Sequence, residues 1–206
     1  YSGETGTPTG QSNNIAISRG TFPGASQAVD GTVYLINSTD SKIDRFAYAN
    51  GAGYFARTNR LNWPGGVTVN AISADPVSDD MVALTTNERI YVYSNRALDN
   101  VTTGTYYDIS GTTTTPTGLA VNGRTGDYLV IDSDVGVGNV INLYVFTANS
   151  NTLKQTVDID LDDLTGAPTA ETNFKIFYND EDNILYLVSP TDTNRIYGLS
   201  LPDYLD

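Results

Sequence analysis

The sequence predicts an all-β protein assembled from about four copies of a four-stranded unit. Three observations predict it. Apolar residues fall in short blocks between Gly, Asn, Asp, Thr and Ser, the texture of strands joined by tight turns. No window carries a convincing helical period; the nearest, Asp158–Leu164, alternates acidic and apolar residues at strand spacing. Finally, the stretch AVDGTVYLINSTDSKIDRF, from Ala28 to Phe46, recurs in altered form three times further along.

The copies read AISADPVSDDMVALTTNERIYVY around Ala71, GLAVNGRTGDYLVIDSDVGVGNVINLYVF around Gly118 and KIFYNDEDNILYLVSPTDTNRIYGL from Lys175. Each has an apolar segment ending in Asp or Asn, a turn, a strand, a second turn, then Ile or Leu ahead of an aromatic or Leu. The anchors Ile43, Ile90, Leu143 and Ile196 stand 47, 53 and 53 residues apart, so the period is close to constant. One further strand-like segment lies between copies: Tyr54–Leu61, Thr105–Ile109 and Leu153–Ile159. A unit of four strands has the size of one β-propeller blade. A single twisted sheet cannot bury both of its faces, whereas stacked blades bury each other's. The units run roughly over 20–65, 66–115, 116–168 and 169–206, behind a small, polar linker or arm at 1–14 containing Pro8, Gly3, Gly6 and Gly10.

The two ends are mismatched. The fourth copy runs out at Asp206 before an outer strand, while Asn14-Ile15-Ala16-Ile17-Ser18 is a spare strand ahead of the first copy. That strand either completes the last blade and closes a four-blade ring, or the blades form an open arc of a larger ring. The same segment is a candidate for strand exchange between copies of the chain. The chain opens on Tyr1, which reads as a processed product or an excised piece.

The repeats resemble the NHL and YVTN class of β-propeller repeat. The match lies in Ala28-Val29-Asp30-Gly31 with Val33-Tyr34-Leu35, in Lys42-Ile43-Asp44-Arg45-Phe46, in Ala120-Val121-Asn122 with Tyr128-Leu129-Val130-Ile131-Asp132, and in Asn194-Arg195-Ile196-Tyr197. It covers roughly 15–201 and implies architecture rather than activity, since such propellers serve as binders, lactonases and scaffolds alike. Blade number departs from the class, which commonly builds six or seven.

Composition narrows the functions. Eleven Lys and Arg against 24 Asp and Glu leave a formal charge of −13, which argues against a nucleic-acid partner and against anionic membrane surfaces. No apolar run approaches the roughly 18 residues of a membrane-spanning helix. There is neither Cys nor His, which removes disulfides, thiolate and imidazole metal sites, and Ser-His or Cys-His nucleophile pairs.

Three constellations remain. Asp30, Asp75, Asn122 and Asn179 each end the first segment of a copy. Around a common axis, their oxygens suit Ca²⁺ or Mg²⁺ at one channel mouth. Gluconolactonase-type propellers, which the repeats resemble, hold a divalent ion at such a place. The alternative is that each Asx side chain caps its own turn. Those enzymes also use a Glu ligand and a channel acid/base, and neither is placed here. Asp158, Asp160 and Asp162, with Asp163 beside them, alternate as one acidic strand face. Trp63 before a Pro-Gly turn and the pair Tyr106-Tyr107 are candidate binding aromatics for a protein or glycan partner, against ordinary packing between blades.

Two functions follow. The first is a non-enzymatic propeller that binds a partner or builds an assembly, including self-assembly, in an extracellular, cell-surface or virion setting. The second is a Ca²⁺-dependent, lactonase-like hydrolase. It would need a carboxylate base in place of His, with Asp75, Asp30 or Glu88 as candidates. No convergent catalytic set is legible, and the first reading is preferred.

Overall fold

The computed structural model describes residues 15–18, 32–49, 54–63, 67–78, 80–93, 105–134, 139–164, 173–189 and 196–201. They form four antiparallel sheets arranged as the blades of a four-blade β-propeller. Blade 1 consists of β1 (Ile15–Ser18), β2 (Thr32–Asn37), β3 (Lys42–Ala49) and β4 (Tyr54–Asn62). Blade 2 consists of β5 (Val69–Ala74), β6 (Met81–Thr85), β7 (Arg89–Tyr93) and β8 (Thr105–Asp108). Blade 3 consists of β9 (Pro116–Val121), β10 (Tyr128–Asp132), β11 (Val140–Phe146) and β12 (Leu153–Asp160). Blade 4 has three strands among the described residues: β13 (Lys175–Asn179), β14 (Ile184–Val188) and β15 (Ile196–Ser200).

Burial follows position in the blade. The second strands of blades 2 and 3, MVALT and YLVID, are buried along their whole length, because a neighbouring blade covers each face. The outer strands β8 and β12 are largely exposed. Three apolar clusters fill three interfaces. Ile36 and Ile43 meet Met81 and Tyr91 between blades 1 and 2. Leu84 and Ile90 meet Tyr128 and Val130 between blades 2 and 3. Ile131 and Leu143 meet Leu185 and Leu187 between blades 3 and 4. Gly118 sits in the last of these interfaces, where a methyl group would lie 2.7 Å from Ile131 Cγ2 and 3.0 Å from the Phe174 carbonyl oxygen.

The register corrects two expectations. Ile15–Ser18 does not complete the last blade; it is the innermost strand of blade 1, paired antiparallel with β2 through Ile15↔Leu35, Ala16↔Tyr34 and Ile17↔Val33. The anchor pairs Ile36↔Ile43 and Leu84↔Ile90 are equivalent. Counting back from them, Ile17↔Val33 matches Ala74↔Met81, so the place of Asp75 belongs in blade 1 to Ser18 rather than to Asp30. The entropy cost of closing a loop grows only slowly with its length, so pairing Ile15–Ser18 with β2 across residues 19–31 costs little more than pairing a nearer segment. Asp30, Asn14 and the 1–14 arm lie outside the described residues. The acidic face is also shorter than alternation implies. The strand stops at Asp160, whose carboxylate caps a 3₁₀ turn over Leu161–Asp163 by accepting the Asp162 amide, so Asp162 sits in that turn.

Candidate functional site

The turns after the innermost strands of blades 2, 3 and 4 meet at one mouth of the propeller. A methyl group on Gly123 would run into the Asp180 carboxylate and lie 3.3 Å from Pro76 Cγ. Asp75, Asn122 and Asn179 therefore come from adjoining turns, but their oxygens are engaged locally. Asp75 Oδ1 accepts the amides of Val77 (2.8 Å) and Ser78 (3.3 Å), and its Oδ2 accepts the Ser78 hydroxyl (2.7 Å). Asn122 Oδ1 accepts the amides of Arg124 (2.9 Å) and Thr125 (3.3 Å), and Asn179 Oδ1 accepts that of Glu181 (3.1 Å). These are Asx turns. Among the described residues no three His, Cys, Asp or Glu side chains are grouped to hold a metal ion.

Deeper along the axis, Lys175 on β13 donates from Nζ to the carbonyl oxygens of Thr117 on β9 (2.8 Å) and Asn70 on β5 (3.0 Å). One ammonium thus ties the innermost strands of three blades. Next to it, Asn70 Nδ2 donates to the Pro116 carbonyl (3.0 Å).

Asp75 and Glu88 do not face one another. Asp75 opens the β5–β6 turn and Glu88 closes the β6–β7 turn, so they sit at opposite ends of β6. Glu88 has φ +57°, and its backbone N–H donates to the Thr85 carbonyl. Partial burial raises its carboxyl pKa, opposed by the Thr113 hydroxyl and assisted by the nearby charges of Asp132 and Asp108. Asp108 is held below its ordinary value, first by the Ser110 hydroxyl and amide and then by Arg89.

The candidate aromatics divide. Tyr106 is exposed, with its ring 4.5 Å from the Arg89 guanidinium and 5.4 Å from Tyr91. Tyr107 is half-buried between blades 2 and 3, 6.5 Å from Tyr128. Trp63 is half-buried against the blade 1–2 core, and its indole Nε1 is enclosed rather than displayed.

Among the described residues, exposed large apolar side chains gather at the two ends of the stack. The anchors Ile43, Ile90 and Leu143 are fully buried against the next blade, but their equivalent Ile196 is 67% exposed. On the same face of blade 4, Phe177 is 63% exposed, and Val188 and Tyr186 flank it. At the opposite end, Ile17 of blade 1 is 64% exposed beside half-buried Val33 and Phe46. Sequence reading missed Phe177 and Val188. The anchor pattern places Ile196 with Ile43, Ile90 and Leu143 but does not tell which of the four is covered.

No protein-family model matches the chain, and no curated protein matches it in sequence. Among solved structures it is similar to apo AztD from Citrobacter koseri, with a TM-score of 0.46 and 12% identity over 82% of this chain. The chain spans 41% of that structure's length.

Proposed function

We propose that this chain is a non-enzymatic binding or assembly module that holds a protein partner through the end faces of its blade stack. The observation that carries the reading is the apolar surface at Phe177, Val188 and Ile196, exposed where every equivalent anchor is buried. Contiguous exposed apolar surface on a folded protein marks an interaction site. Val188 and Ile196 add aliphatic surface beside the aromatic Phe177, and this mixture favours a protein over a glycan. An extracellular, cell-surface or virion setting remains part of the reading on compositional grounds.

Hydroxyl-radical footprinting tests it. Phe177 and Ile196 should be protected in intact producing cells and oxidised in the dilute purified chain. Equal oxidation in both settings overturns the reading.

A further inference from the structure

We propose that the occupant of the blade 4 end face is the blade 1 end face of a second copy of this chain, packed head to tail. This rests on the assembly reading above and names its partner.

All three interfaces within the chain are built the same way. The face of one blade that carries the anchor meets the opposite face of the next blade. Leu143 of blade 3, for example, packs with Leu185 and Leu187 of blade 4. By register, Ile196 and Val188 occupy the places of Leu143 and Ile131. At the other end, Val33 and Leu35 occupy the places of Met81 and Ala83, which receive blade 1 within the chain. Blade 4 therefore presents a surface of the anchor kind and blade 1 one of the receiving kind. Each is the complement of the other by the rule that assembles its interior. The two surfaces do not cover each other within one chain, since Ile196 and Ile17 are both exposed.

A contact between unlike surfaces repeats until it closes or polymerises. Two copies closing on each other give eight blades, within the usual propeller range of about four to eight, and this is the smallest assembly that buries both ends of both chains. Like charges oppose the contact, because each copy carries a formal −13, so association should strengthen with added salt.

Complementary variants test it. Ile17→Asp spoils the receiving face and Ile196→Asp the anchor face; both positions are exposed, so circular-dichroism melts should match the parent. The parent chain should be a dimer by light scattering, and each variant alone should be a monomer. Because the chain has no Cys, single Cys labels placed away from the end faces allow energy transfer between the variants to be followed. An equimolar mixture should give transfer that saturates at one to one, since one sound junction remains.

A monomeric parent overturns the proposal. So does association of either variant alone, which indicates like-to-like contact, or absence of transfer on mixing. In-cell protection of Phe177 and Ile196 surviving any of these failures would leave the assembly reading standing with a different partner.

Discussion

Ile90 and Ile196 hold the same register position on the third strands of their blades, paired with Leu84 and Val188, yet one is fully buried and the other is 67% exposed. The residue type is the same; what differs is that a neighbouring blade covers the face bearing Ile90 and leaves the face bearing Ile196 exposed. Ile90→Ala should therefore destabilise the purified chain by about 2–4 kcal/mol through lost burial and a residual cavity. Ile196→Ala should change it by less than about 0.5 kcal/mol at concentrations where the chain is monomeric. Urea titration of both variants checks this, and equal losses would contradict the open end.

The Asx turns give a separate expectation. Asp75→Ala removes the acceptor for two amides and one hydroxyl and should cost about 1–3 kcal/mol whether or not Ca²⁺ is present. Calorimetric titration of chelator-treated chain, with thermal melts alongside, decides the matter. A Ca²⁺-dependent rise in Tm that Asp75→Ala abolishes would support a metal at the mouth instead.

Gly118 measures how closely blades 3 and 4 approach. Gly118→Ala forces a methyl group against Ile131 and the Phe174 carbonyl, and should lower stability by about 1–3 kcal/mol. An unchanged urea midpoint would mean that the blades separate easily there.

Asp127 is buried and accepts the Lys154 ammonium at 2.7 Å, the Thr125 hydroxyl at 2.9 Å and the Ala148 amide at 3.2 Å. Lys154→Met leaves that carboxylate without its cation. The expected loss is about 1–3 kcal/mol, larger than for an exposed pair. A double-mutant cycle with Asp127→Asn should show coupling between the two positions.

Alkaline pH should loosen the blade 2–3 interface at Tyr128 and the blade 1–2 interface at Tyr93. Burial pushes the Tyr128 hydroxyl up to about 12, and it raises Tyr93 as well. An unfolded tyrosine titrates near about 10. The folded chain thus holds these protons where the unfolded chain releases them, so stability is whole below about pH 10 and falls as the pH rises through the folded values. Tyr128→Phe should flatten part of that fall in a series of melts at pH 9 to about 12. It should also cost about 1 kcal/mol at neutral pH through the lost bonds to Asn149.

The sequence by itself determined the repeat, the all-β class and the pairing of second with third strands, because turn residues and alternating apolar runs are local signals. Ile43, Ile90, Leu143 and Ile196 could be aligned without coordinates. Only the tertiary structure decided which segment lines the inner edge of blade 1. Ala28-Val29-Asp30 and Ile15-Ala16-Ile17 have comparable strand character, and the choice between them depends on pairing across an intervening stretch. It also decided that Asp75 and Glu88 stand at opposite ends of β6 and that the Asx oxygens of blades 2 to 4 cap their own turns. Above all, it decided that Ile196 is exposed. Burial belongs to the neighbour that covers a face, and no residue encodes its own neighbour.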